Sequence, residues 1–271
     1  MLSWVDGRPA TELPLSDRGL AYGDGLFETI AVRRGRAVLL PRHLARLAEG
    51  LRRLAIDLDL VALEAELRAF FAELGEGVAK LLVTRGDGLR GYAPPQPARP
   101  RRILLGSPLP SYPAANAEQG VRLFSCRTRL AEQPLLAGLK HLNRLEQVLA
   151  RGEWQDAAFA EGLMRDTSGR VIEGVFSNLF LVRDGVLLTA ELSRCGVAGV
   201  MRAEVLEQAA RLGIPCEIRD IGFDELLAAD ELFLCNSLYG IWPVRELAAS
   251  VWPAGPLTRK LQALIRSLLD S

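Results

Sequence analysis

The sequence predicts a two-domain fold of mixed helix and strand content, in the α/β or α+β class. Three observations predict it. Strand-like and helix-like stretches alternate up to about residue 107. A stretch rich in Pro, Ser, Ala and Asn follows, with Pro108, Pro110 and Pro113, where the chain can hold no regular element for long. Beyond it, short strands separated by turn signals dominate. The expected division is a small N-terminal α/β domain over 1–107, a linker over 108–120 and a larger C-terminal domain over 121–271.

In the first domain, Leu2 to Val5 reads as a strand that turns at Asp6-Gly7. Leu20 to Gly25 brings Gly23 and Gly25 around Asp24, as a sharp turn or a close approach to a ligand, and leads into a strand from Leu26 to Val32. Arg34-Gly35 makes the next hairpin. Pro41 suits the first turn of a helix in which Leu44, Leu47, Leu51 and Leu54 share one face. Arg46 lies at the edge of that face, where a surface arginine would snorkel. A second helix covers Leu60 to Leu74, and strands are expected at 79–85 and 101–105. The stretch from Leu89 to Pro95 carries Arg90, Gly91 and Tyr92. It cannot be regular, so it is either a solvated loop or one that grips an anion.

In the second domain, a strand at 121–126 and a loop over 130–138 lead to Lys140. The spacing of Leu142, Leu145, Val148 and Leu149 predicts a helix from about His141 to Trp154, which puts Lys140 at its start. There the helix dipole and partial burial would both disfavour an ammonium and favour a reactive amine, although most lysines at helix starts are solvated surface charges. Short strands follow at 157–159, 162–164 and over 171–182, with hairpin turns at Asp166 to Gly169 and at Asp184-Gly185. Glu173 sits among Val171, Ile172, Val175 and Phe176, so it is either at an exposed strand edge or paired with a buried cation. Cys195 to Arg202 opens a helix through Leu212, and free amides at such a start suit an anion. A strand at 215–221, a short helix at 223–229, a strand at 231–235 ending in Asn236-Ser237, and a helix at 257–269 complete the chain.

Composition narrows the function. Lys and Arg together number 33, as do Asp and Glu, so no global charge excess favours nucleic acid or an anionic membrane. The 4 cysteines are dispersed and the histidines number 2, so no metal site is expected. No signal peptide or membrane-spanning run is evident, and a soluble, cytoplasmic protein is expected.

Four segments in order carry a further signal. They are Asp17-Arg18-Gly19 through Gly23-Asp24-Gly25-Leu26-Phe27-Glu28-Thr29, the Pro41 to Leu47 helix, Lys140 to Val148, and Val171 to Phe180. Together they resemble the fold-type IV family of pyridoxal-phosphate enzymes, also called class IV aminotransferases. This family includes branched-chain aminotransferases, D-amino-acid aminotransferases and aminodeoxychorismate lyases. The words Lys140-His141-Leu142-Asn143-Arg144-Leu145-Glu146-Gln147 and Arg90-Gly91-Tyr92 look most like the lyase branch.

The resemblance implies a β-barrel-like larger domain with helices, and pyridoxal 5′-phosphate as cofactor. It makes Lys140 the Schiff-base lysine and proton shuttle, and Glu173 the partner of the pyridine nitrogen. Arg46, Val200 and Met201 would hold the phosphate, with Asn178, Asn236 and Ser237 also at the cofactor. Arg90 and Tyr92 would bind substrate, and Thr29 would assist catalysis near the leaving group. The implied reaction converts 4-amino-4-deoxychorismate to 4-aminobenzoate and pyruvate, a step toward folate. The alternative is a D-amino-acid or branched-chain aminotransferase on the same fold. A homodimer is also implied.

Overall fold

The computed structural model describes residues 2–270. The described chain divides into two compact units, one made of 2–110 with 139–143 and the other of 111–138 with 144–270. The short stretch 139–143 thus belongs to the first unit although the second surrounds it in sequence.

The first unit contains β1 (Ser3–Val5), β2 (Arg8–Pro9), α1 (Arg18–Tyr22), β3 (Gly25–Arg33), β4 (Arg36–Ala37), α2 (Leu40–Leu54), α3 (Leu60–Leu74), β5 (Gly77–Thr84) and β6 (Arg101–Ser107). Its strands form a six-stranded sheet in the order β2-β1-β6-β5-β3-β4, and all of its strand pairs are antiparallel. Alternation along β3 places Leu26, Ile30 and Val32 in one core with Leu47 and Leu51 of α2 and with Leu63, Leu67 and Phe70 of α3. Each of these side chains contributes about 1.5–3 kcal/mol through burial. Glu28 shares that inward face, while Phe27 and Thr29 point the other way and are half-buried. The α3 limits follow from chemistry at both ends. The Asp59 carboxylate accepts the N–H groups of Val61 and Ala62, and Gly75 ends the helix at positive φ.

The second unit contains α4 (Ala114–Glu118), β7 (Val121–Leu130), α5 (Leu145–Arg151), β8 (Phe159–Asp166), β9 (Val171–Gly174), β10 (Asn178–Arg183), β11 (Val186–Ala190), α6 (Val200–Arg211), β12 (Cys216–Arg219), α7 (Phe223–Leu227), β13 (Glu231–Asn236), β14 (Gly240–Leu247), β15 (Ser250–Val251) and α8 (Pro256–Asp270). Its nine-stranded sheet runs β12-β11-β10-β13-β14-β7-β8-β9, with β15 on β14. β9 pairs with β10 as well as with β8, so six strands close on themselves into a barrel-like sheet. The closing pair is Asn178 with Glu173. Alternate residues Leu179 and Leu181, Leu232 and Leu234, and Trp242 and Val244 join Leu123 and Leu163 in one core. A second cluster, including Cys126, Trp154, Met164 and Ile172, packs apart from it. No helix among the described residues is long and apolar enough to cross a membrane. No group of three or more His, Cys, Asp or Glu among them is placed to hold a metal ion.

Two predicted elements are corrected. The helix expected from His141 begins only at Leu145, because the backbone groups of 140–142 are engaged with β3. The N–H of Phe27 donates to the Lys140 carbonyl at 2.9 Å, and that of Leu142 donates to the Gly25 carbonyl at 3.0 Å. The first half of the turn expected at Leu20 to Gly25 is helical instead, as the end of α1, whose first turn is capped by the Asp17 carboxylate and which stops at Gly23. Five residues are too few for a periodic signal.

Candidate active site

In the first unit, β3 and the extended 140–142 segment run side by side as an antiparallel edge pair, Leu26 facing His141. Gly138, at φ 79°, turns the chain just before it. The register places Lys140 opposite Phe27, and the Lys140 Nζ stands 4.2 Å from the centre of the Phe27 ring. Lys140 is therefore presented from a segment bridged to β3, and α5 begins only at Leu145, so Lys140 does not stand at that helix's start. Thr29 lies two residues along β3 from Phe27, on the same face.

Behind this face, α2 carries a buried charge cluster. The Glu28 carboxylate accepts a fork of two hydrogen bonds from Arg46, the Nε bond at 2.8 Å, and is 2.6 Å from the His43 Nδ1. Burial would raise the Glu28 carboxyl, but the Arg46 charge and the bonds from His43 and Arg46 overcome it and hold it at about 2. Burial lowers His43, and the nearby Arg46 and Lys140 charges lower it further against the pull of Glu28. A neutral His43 then donates through Nδ1 to Glu28.

Arg90 and Tyr92 occupy an exposed loop of the same unit, with the Tyr92 ring 5.4 Å from that of Tyr22.

In the second unit, Glu173 on β9 is buried. Its Oε2 accepts the Val197 N–H at 2.9 Å and an Asn178 amide N–H at 3.4 Å, and the Asn178 amide also donates to the Val197 carbonyl at 2.8 Å. Asn178 thus ties the barrel's closing pair to the loop before α6. Burial lowers Arg144, while the Glu173 and Glu146 charges act to keep it protonated. The loop ends at Gly199, where an added Cβ would fall 2.0 Å from the Asn178 Oδ1. Gly199 is the N-cap of α6 and no side chain caps the helix. The first amides of Val200 and Met201, both buried, therefore stand at a helix start that carries positive partial charge. At the end of β13, the Asn236 Oδ1 accepts the N–H groups of Leu238 and Tyr239 at 2.9 and 3.0 Å, so this side chain holds its own turn. Ser237 is half-buried in that turn.

Residues 25–247 match the model of the Amino-transferase class IV family. The chain belongs to this family. Among relatives of this class IV chain, an aminodeoxychorismate lyase of Vibrio harveyi is 39% identical over 96% of this chain and 97% of its own length. A putative branched-chain-amino-acid aminotransferase of Methanocaldococcus jannaschii is 32% identical, covering 98% and 93%. A crystal structure of 4-amino-4-deoxychorismate lyase from Pseudomonas aeruginosa is 70% identical, covers 100% of both chains and superposes with a TM-score of 0.98.

Class IV aminotransferases depend on pyridoxal 5′-phosphate. The donor set of this chain suits that group chemically. It includes a primary amine at Lys140, an uncapped helix start for a phosphate, and a buried carboxylate at Glu173 held by N–H donors for a protonated ring nitrogen.

Sequence reasoning missed the buried Glu28–His43 pair. The signal for Glu28 was present, since it is a carboxylate inside the apolar run from Leu26 to Val32, as Glu173 is in its own strand.

Proposed function

We propose that this chain is a pyridoxal-phosphate-dependent lyase that converts 4-amino-4-deoxychorismate to 4-aminobenzoate and pyruvate. The observation that carries this reading is the 70% identity, over the full length of both chains, to a structure of 4-amino-4-deoxychorismate lyase. The words around Lys140 and Arg90 support the same branch.

When bound, the cofactor supplies an electron sink for the carbon next to the substrate nitrogen. The chain supplies the rest. The Lys140 Nζ tethers the cofactor, then takes the proton from the ring carbon bearing nitrogen and returns it to the departing enolpyruvate. The proton count closes without a second substrate. Breaking the ether bond leaves an aromatic ring, which draws the reaction forward.

Glu173 accepts the hydrogen bond of the cofactor's ring nitrogen and keeps that nitrogen protonated, with Asn178 and the Val197 amide fixing the carboxylate. The amides of Val200 and Met201 bind the phosphate, and Arg46, Asn236 and Ser237 are assigned to the same end of the cofactor. Two of the Arg46 donors already serve Glu28, so Arg46 contributes to the phosphate mainly as a charge. Thr29, beside Phe27 and Lys140, orients the departing group. Arg90 and Tyr92 take the substrate carboxylate and ring.

The enzyme works as a cytoplasmic homodimer in this reading. Leu145, Val148 and Leu149 of α5 support the dimer, because they form an exposed apolar stripe at helical spacing.

The test is substrate choice. Pyruvate formed from aminodeoxychorismate without any added 2-oxo acid supports the lyase. Turnover only with D-alanine or leucine plus 2-oxoglutarate assigns the chain to the aminotransferase branch.

A further inference from the structure

We infer that Arg18 is a positioning residue for substrate, acting by clamping the loop that presents Arg90 and Tyr92. This rests on the reading of that loop as the substrate-carboxylate grip. Arg18 is charged and almost wholly buried, being only 4% exposed. Its guanidinium spans two structures. The Nε donates to the Asp24 carboxylate at 2.8 Å, and Asp24 is itself fixed by Arg85 at 2.8 and 3.1 Å. The two terminal nitrogens donate to three consecutive loop carbonyls, those of Gly91 at 3.1 Å, Tyr92 at 2.9 Å and Ala93 at 3.4 Å.

The stretch from Leu89 to Pro95 is itself neither strand nor helix, and Gly91 sits at φ 107°. Without the guanidinium these carbonyls would have to find water, and the segment would regain the backbone freedom its order now costs. A second contact works in the same direction. The Gly91 N–H donates to the Tyr22 hydroxyl at 3.3 Å, and the Arg18 guanidinium lies 4.9 Å from the Tyr22 ring centre. Gly88 leaves room for the arginine stem, since a Cβ there would stand 2.7 Å from the Arg18 Cδ.

The backbone on both sides of Tyr92 is thus pinned from below, while the Arg90 and Tyr92 side chains stay exposed above it. A solvated loop with no task would not require a buried guanidinium to read three of its carbonyls. A loop that must meet a carboxylate in one orientation does.

The experiment compares Arg18→Lys and Tyr22→Phe with Arg90→Ala in the cofactor-loaded enzyme. Hydrogen exchange over 88–95 reports the clamp, and steady-state kinetics with aminodeoxychorismate reports its use. Arg18→Lys keeps the charge but loses the fork. We expect faster exchange confined to this loop, a KM raised about tenfold and a kcat within about threefold, as befits lost charge-assisted bonds that act through geometry. Tyr22→Phe, which leaves the Arg18–Asp24 pair intact, should move both readouts the same way by less. Adding Arg90→Ala to Arg18→Lys should raise KM little beyond Arg90→Ala alone.

Unchanged exchange in Arg18→Lys overturns the inference. Faster exchange with unchanged KM, while Arg90→Ala raises KM, also overturns it and leaves the loop's substrate role standing. Faster exchange with KM unchanged in both Arg18→Lys and Arg90→Ala removes the substrate role of the loop, and the inference falls with it.

Discussion

Glu28 sits on the core face of β3, where the fork from Arg46 and the bond from His43 make a charge tolerable. With its carboxyl held at about 2 against an ordinary value of 4.5, Glu28 contributes stability that is present above pH 4.5. That stability is lost as pH falls toward 2, because the unfolded chain takes up the proton first. The contribution is about 3 kcal/mol, and acid denaturation of Glu28→Gln should lack this part of the pH dependence. Arg46→Met leaves the carboxylate buried without its main partner. It should lower unfolding free energy by about 3–5 kcal/mol in urea titration, beyond any loss of cofactor affinity. The sequence placed Arg46 at the edge of a helical face and named Glu173 as a carboxylate in need of company. It held the same signal for Glu28 but could not reveal its partners, because a pairing between β3 and α2 is a tertiary fact. Lys140 was singled out by its neighbouring words, but its setting against β3 was not legible.

The elements were legible in proportion to how local their causes are. The helix expected at about Leu60 to Leu74 is there, and its Asp59 cap and Gly75 stop lie in the adjoining sequence. The same holds for the hairpin at Asp184-Gly185, where both residues take positive φ. The helix expected at His141 failed for the opposite reason, because its first residues bond to β3, more than a hundred positions away.

The turn between β9 and β10 is another element set by a distant residue. Glu161, on β8, is fully buried. It accepts N–H bonds from Gly162, Val175 and Phe176, and the Ser177 hydroxyl at 2.8 Å. This holds the segment that joins Glu173 to Asn178. Burial pushes its carboxyl up to about 7 against the pull of those four donors. Between pH 4.5 and about 7 the unfolded chain releases this proton and the folded chain keeps it. Glu161 therefore makes stability fall by about 3 kcal/mol as pH rises across that window, and level off above it. Glu161→Gln should remove the slope in thermal or urea unfolding. Where α6 begins, Gly199→Ala forces its Cβ against Asn178. This should weaken cofactor binding about tenfold or more in a spectroscopic titration, since the displaced amide supports Glu173.

At the scale of the whole molecule, the mixed two-unit fold and the closed six-stranded sheet agree with the class the sequence predicted and with the family it belongs to. The membership of 139–143 in the first unit was not legible, because it depends on edge pairing with β3. Nor was the exposure of α5. Its leucines and valine at 145, 148 and 149 read as a helix face but remain 62–76% exposed. If that stripe is a subunit contact, Val148→Asp should convert dimer to monomer in analytical ultracentrifugation, while an unchanged dimer would place the contact elsewhere.

In the proposed reaction Lys140 moves the proton and no amino acceptor is needed. Its most direct test is the yield of 4-aminobenzoate and pyruvate from aminodeoxychorismate, with no 2-oxo acid present, for the wild type and for Lys140→Ala. Equal molar amounts of the two products are expected from the wild type, with a rate lower by about a thousandfold or more in the variant. Products that depend on an added 2-oxo acid, or a Lys140→Ala enzyme that keeps its rate, would contradict the proposed reaction.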